Sequence, residues 1–285
     1  MKRSWIVATV ATTAAVGTVG IAGLTSMTGA TALNLTAAVA STHGVASVTN
    51  AKAAAALNPD VAPGGNFNLS VWELQLPIGS PGSPTTILPS QLEGANGYQN
   101  PAYFWTDKND GSMTFWDPES GVTTPNSSYP RTELREMNSN GTAANWALSG
   151  NSTLSAELRV VSVTSNVCVG QVHLGTGGTS TKPLVELYYR SNGDIYLGTE
   201  NSPSGGQTLH YITNVALGTH WTYVINVSGS TINLTVNGSK TSYSVPASFD
   251  AYHMYFKAGD YNQSSSSSTT NGAKVKFYSL TVSHS

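Results

Sequence analysis

The segment His220–Val245, "HWTYVINVSGSTINLTVNGSKTSYSV", holds three runs of alternating residues separated by two tight turn signals, "SGS" and "NGS". Trp221, Tyr223, Ile225 and Val227 fall at every second position, as do Ile232, Leu234 and Val236. Successive side chains of a strand leave opposite faces, so this spacing gives each strand one apolar and one polar face. β-branched and aromatic residues suit a pleated surface, and Asn-Gly is a hairpin signal. The three- and four-residue spacing of a helix is missing.

The same period runs outward from this segment. "STLSAELRVVSV", "NVCVGQVHLG", "LVELYYRS", "DIYLGT", "HMYFKAG" and "KVKFYSLTVS" all read as strands, and "RSNGDIYLG" adds a second clear hairpin. A short helix is expected around "PSQLEG" (Pro89–Gly94), and "SSSSSTTNG" (Ser264–Gly272) reads as a flexible loop. There is no internal repeat. These elements predict an all-β fold, an antiparallel β-sandwich or β-jelly roll.

Residues 1–32 combine a basic start, "MKRSW", an apolar run, "IVATVATTAAVGTVGIAGL", and a small-residue cleavage pattern, "TGATA". That pattern predicts a secretory signal peptide and an extracellular protein, with no membrane association after cleavage. Residues 33–63 are rich in Ala, Thr, Ser and Val and read as a disordered linker or pro-region. The folded unit is expected over 64–285, about 220 residues, enough to bury one large core. A net charge of −2 excludes the basic face that nucleic acid demands. The single cysteine, Cys168, excludes an internal disulfide and a Cys-based zinc site, and its apolar neighbours suit a buried hydrophobe better than a catalytic thiol.

Only 10% of the chain is charged, yet Arg131, Glu133, Arg135 and Glu136 fall within six residues of "SSYPRTELREM" (Ser127–Met137). On a strand, residues i and i+2 share a face roughly 6–7 Å apart. Arg131, Glu133 and Arg135 then line one face, with Thr132 and Leu134 turned to the core. Glu133 can brace the two guanidinium groups. "GQVHLG" places Gln171 and His173 on one face, and "MYFKAGDYNQ" does so for Tyr255 and Lys257, with Gly259 free to bend the chain ahead of Tyr261. Each segment alone has a plainer explanation: an exposed ion-pair ladder, a satisfied polar pair, ordinary sheet-surface residues. Together they supply cations, an amide and two groups able to move protons.

Glu133 and Glu136 face opposite ways, so they cannot flank a glycosidic bond as paired carboxylates. No HExxH, Gly-x-Ser-x-Gly or phosphate-loop pattern is present, and His173 has no evident acidic partner for a Ser-His-Asp arrangement. The set suits β-elimination on a polyuronate. There the proton beside the sugar carboxylate becomes removable only once that carboxylate is neutralised and the enolate-like intermediate is held by fixed donors.

"RTELRE", "QVH" and "YFKAGDYNQ", in this order and at these separations, resemble the three signature segments of the alginate lyases of polysaccharide lyase family 7. "WELQLP" (Trp72–Pro77) resembles that family's first strand. The resemblance runs from about Phe67 to the end. It implies that 64–285 is a jelly-roll catalytic domain with a concave groove for an anionic polysaccharide, alginate. Arg131 and Gln171 would neutralise the substrate carboxylate. His173 would be the base for guluronate, and Tyr261 the general acid, or both acid and base for mannuronate. Arg135, Tyr255 and Lys257 would bind the chain. No metal or other cofactor is implied, and a monomer is expected. "QVH" in place of "QIH" is associated in the family with mannuronate preference, and Asp260 stands where the family is often apolar. Two alternatives share parts of this pattern: a lyase on another polyuronate such as glucuronan, and a non-catalytic carbohydrate-binding jelly roll. Asn126, Asn151 and Asn233 open Asn-x-Ser/Thr sequons that matter only in a eukaryotic secretory host.

Overall fold

The computed structural model describes residues 56–285. The expected signal peptide over 1–32 and the expected linker as far as residue 55 lie outside the described residues. Two short helical turns, α1 (Pro63–Asn66) and α2 (Pro89–Leu92), interrupt an otherwise β chain. The strands in order are β1 (Trp72–Ser80), β2 (Ser83–Ile87), β3 (Phe104–Thr106), β4 (Met113–Pro118), β5 (Thr132–Glu136), β6 (Trp146–Ala147), β7 (Asn151–Val163) and β8 (Asn166–Leu174). They continue as β9 (Pro183–Arg190), β10 (Asp194–Glu200), β11 (Gln207–Asn214), β12 (Trp221–Ser228), β13 (Thr231–Val236), β14 (Ser239–Ser244), β15 (His253–Asn262) and β16 (Gly272–His284).

The strands form two antiparallel sheets. One runs β11-β10-β9-β8-β15-β5-β1-β2, with β6 pairing β15, and the other runs β14-β13-β12-β7-β16-β4-β3. The period-two pattern explains why they stack. Trp221, Tyr223, Ile225 and Val227 of β12 are all buried, as are Val185, Leu187 and Tyr189 of β9 and Met254, Phe256 and Ala258 of β15. These apolar faces share one core, the β-jelly-roll sandwich that the sequence predicts. The β13–β14 hairpin turns on Asn237 and Gly238, both at positive φ (48° and 81°), as a two-residue hairpin of this hand requires.

Three features depart from the sequence reading. Residues 57–63 are packed rather than linker-like. Leu57 lies against the core, Ala62 and Pro63 are buried, and Asn66 exchanges two hydrogen bonds of 2.8 Å with the Asn58 backbone. Their composition carries no period, and their partners are remote in sequence. The serine-rich loop is tied down: Ser266 donates to the Glu119 carboxylate at 2.6 Å, and Ser120 N–H donates to the Ser268 carbonyl at 2.9 Å. β2, β3, β4, β6 and β11 are not among the strands read from the sequence; β11 is an edge strand whose Leu209 and Tyr211 stay exposed. The short helix is where "PSQLEG" places it, with Leu88 N–H donating to the Gln91 side chain at 3.0 Å. No helix among the described residues is long and apolar enough to cross a membrane.

One irregularity shapes the site. Between Ala258 and Tyr261 the register of β15 against β8 shifts, and Gly259 sits there at φ 142°. A Cβ at that position would lie 2.9 Å from the Thr132 carbonyl and 3.0 Å from Glu133 Cα. Gly259→Ala is therefore expected to cost about 1–3 kcal/mol through backbone strain, read as a lowered thermal midpoint together with reduced turnover.

Candidate active site

β5, β15 and β8 lie side by side at the centre of the larger sheet. Register places Arg135 opposite Lys257, Lys257 opposite Gln171 and Gln171 opposite Glu186, with Tyr255 opposite His173. The outward faces of these strands floor a groove of about 460 Å³, and Arg131, Arg135, Gln171, His173, Tyr255, Lys257 and Tyr261 all line it. The structure thus brings together every residue to which the resemblance assigns a role.

Glu133 lies beneath them, 1% exposed. It pairs with Arg131 at 3.1 Å and closely with Lys257, and it accepts a short hydrogen bond from the Gln171 amide. Burial alone would raise its pKa. The Lys257 and Arg131 charges and the bonds from Lys257 and Gln171 outweigh that and hold it below the ordinary carboxylate value. Glu133 does not brace both arginines as expected. Arg135 instead donates to the Glu136 carbonyl at 2.8 Å, approaches Glu73 at 3.8 Å and lies over the Tyr255 ring at 4.0 Å. The reason is the lateral ladder: Lys257 and Gln171 arrive from neighbouring strands and take the places Arg135 would need.

His173 Nδ1 lies 3.0 Å from the Leu174 carbonyl and 3.0 Å from the Tyr255 hydroxyl. A carbonyl only accepts, so Nδ1 carries the proton and Nε2 keeps its lone pair. Burial, with the Lys257 and Arg131 charges, lowers the His173 pKa to about 3 against the opposing Leu174 bond. The ring is neutral at physiological pH. Tyr261 is the converse case. Burial raises its phenol against the Arg131 charge and a bond to Ser127, so it remains protonated. Its hydroxyl sits 3.0 Å from Ser127 Oγ, and the Arg131 guanidinium covers its ring at 3.8 Å. Burial and Arg131 bring Lys257 down to about 8 despite Glu133.

Several groove residues were not found from sequence. Ser127 holds Tyr261. Glu186 lines the groove and is held by two residues outside its lining, Tyr188 donating at 2.5 Å and Gln207 at 2.8 Å. Glu73, Gln75, Lys182 and Glu200 complete the walls. Polar residues at alternate positions of β1, β9 and β10 were the available signal, but such residues also mark any solvent-facing strand. Cys168 is buried, as expected, and burial with the nearby Glu186 and Glu133 carboxylates pushes its thiol well above the ordinary value, which rules out a nucleophilic thiolate. Asp260 faces the interior, away from Lys257, at 0% exposure. Val172 is also fully buried and reaches the groove only through the backbone. A larger cavity of about 580 Å³ lies elsewhere, lined by Trp72, Glu136, Trp146 and His284. Its carboxylate is already engaged by Trp146 Nε1, Phe256 N–H and His284, and it has no cluster of cations.

Comparison with known proteins agrees with this geometry. The family model described as alginate lyase matches residues 67–284. An alginate lyase of Klebsiella pneumoniae is 29% identical, over 78% of this chain and 91% of that protein. The solved structure of alginate lyase A1-II′, a member of polysaccharide lyase family 7, is 37% identical with a TM-score of 0.71, over 79% of this chain and 99% of that one. Alginate lyase PA1167 from Pseudomonas aeruginosa is 32% identical with a TM-score of 0.70, over 76% and 99%. The chain belongs to the alginate lyases of polysaccharide lyase family 7 and is an enzyme of the lyase class.

Two outcomes are expected. Glu133→Ala leaves two buried cations without their anion and should destabilise the fold by about 3–5 kcal/mol in denaturant unfolding. The pH profile of kcat/KM should show no limb near the ordinary histidine value of about 6.5, because His173 is already neutral there. It should fall as pH rises through about 8, where Lys257 loses its charge.

Proposed function

We propose that this protein is a secreted, monomeric alginate lyase that cleaves 1,4-linked mannuronate and guluronate chains by β-elimination. The observation that carries the reading is a neutral imidazole and a protonated phenol set in one groove around a cationic, amide-bearing floor. A uronate lying there meets Arg131 and the Gln171 amide with its carboxylate, which lowers the cost of the enolate-like intermediate. For guluronate, His173 Nε2 takes the C5 proton. The released electron pair forms the C4–C5 double bond as the C4–O bond breaks, and Tyr261 gives its proton to the departing oxygen. For mannuronate the family resemblance implies that Tyr261 is both base and acid and that His173 helps to neutralise the carboxylate, a route that requires the phenol first to release its proton to solvent and the imidazole to gain one. No water is consumed. The products are shortened chains, one with a 4,5-unsaturated uronate at its non-reducing end. Arg135, Tyr255 and Lys257 hold neighbouring sugars. The family resemblances support alginate over another polyuronate, and the secretion reading rests on the pattern over residues 1–32.

Incubation with alginate, polymannuronate and polyguluronate should raise ultraviolet absorbance from the conjugated product, and no rise on any of them would end the reading. His173→Ala, assayed on polyguluronate, and Tyr261→Phe should each retain the fold by circular dichroism and lose about two to four orders of magnitude in turnover.

A further inference from the structure

Behind the groove, on the inward face of the same strand, two acidic side chains meet in the core. Asp117 of β4 and Asp260 of β15 are both 0% exposed. Asp117 reaches across from the opposite sheet, and its Oδ2 accepts the Asn262 N–H at 3.1 Å. Asp260 lies two residues before Asn262 on the same face. Asp117 Oδ1, both Asp260 oxygens and Asn262 Oδ1 have no hydrogen-bond partner among the described residues. These acceptors are shut away from bulk solvent, and the donors directed at the two carboxyls are the backbone N–H groups of Asn262 and Asp117.

Two bare carboxylates cannot be held there. The surrounding charges do not compensate them: Arg131, just ahead of β5, offers a cation, but Glu133 of β5 offers an anion to which Arg131 is already committed. β5 also presents the uncharged Thr132 opposite Asp260, and β16 presents Ala273 opposite Asp117. Lys257 and Tyr261 point to the other face of β15. A proton supplies what is missing. A protonated carboxyl is a donor and can bond a neighbouring carboxyl or amide oxygen.

We propose that Asp117 and Asp260 form a proton-sharing acid pair that locks the irregular turn of β15 and so aims Tyr261 into the groove. Asp260 and Asn262 flank Tyr261 in sequence. Anchoring both of them inward to Asp117 turns the phenol between them outward. Burial and the Glu133 charge, and for Asp260 also the neighbouring Asp117, push both carboxyls well above the ordinary value, which agrees with a retained proton. The pair are positioning residues: they touch neither substrate nor reacting atoms. The proposal rests on Tyr261 acting in the reaction.

Three measurements test it. The infrared spectrum of the folded wild type at neutral pH should show the carbonyl band of a protonated carboxylic acid, and Asp260→Asn should lose it. Because the folded state keeps a proton that the unfolded chain releases above about pH 4, the thermal midpoint of the wild type measured relative to Asp260→Asn should fall as pH rises from there, the contributions of His173 and Glu133 being common to both proteins. Asp260→Ala should lower kcat on alginate by about ten- to a hundredfold through misplacement of Tyr261, with KM within about twofold. Asp260→Asn, whose amide can donate as the acid does, should restore most of kcat. The spectrum and the pH slope read the pair whether or not alginate is cleaved, so a failed activity assay alone tells against the lyase reading and not against the pair. Absence of the carbonyl band, an Asp260→Ala enzyme with unchanged kcat and only lower stability, or one equivalent of metal retained by the wild type and lost in Asp260→Asn would each overturn it.

Discussion

The groove depends on one carboxylate that water does not reach. Glu133 is buried under the site and balances Arg131 and Lys257 while it orients the Gln171 amide. An ion buried in this way is costly unless paired and fully hydrogen-bonded, and here both conditions hold. Two cations against one anion leave a single positive charge on the floor, while the charge of Arg135 is offset in part by Glu73 at 3.8 Å. The result attracts a uronate carboxylate while its donors are already fixed in place before substrate arrives, which is the condition for electrostatic stabilisation without reorganisation.

Burial also acts on the two groups proposed to move protons, in opposite directions. Removing water disfavours the charged form of each. For His173 that form is the imidazolium, so its pKa falls; for Tyr261 it is the phenolate, so its pKa rises. Both therefore stand neutral in the same groove, one with a free lone pair and the other with a proton to give. The groove cations push further on His173, and Arg131 softens the effect on Tyr261. Ser127 and Tyr255 complete the arrangement by fixing the phenol and the ring nitrogen.

β15 joins the two faces of the sheet. Outward it carries Tyr255, Lys257 and Tyr261; inward it carries Met254, Phe256, Ala258 and Asp260. Only near Gly259, where the register shifts, does the inward face become polar and meet Asp117. The far end of the groove also departs from a simple cationic channel. Glu186 and Glu200 line it, both with pKa values raised, chiefly by burial. That wall suits the hydroxyl edge of a sugar better than its carboxylate.

The alternation in segments such as "HWTYVINVSG" was enough to determine a β-sandwich, because burying one face of each strand leaves few other solutions. The same period assigned Arg131, Glu133 and Arg135, then Gln171 and His173, then Tyr255 and Lys257, each to one face. It could not reveal that Glu133 binds Lys257 and Gln171 instead of Arg135, nor that Asp117 and Asp260 meet in the core. Packed residues 57–63 and the tethered serine loop were hidden for the same reason. Facing is a local property of a strand, fixed by the pleat and so written in residue spacing. Which strand lies beside or behind another is decided only when the sheets close, and that choice turned three separated polar stripes into one groove with a cationic floor.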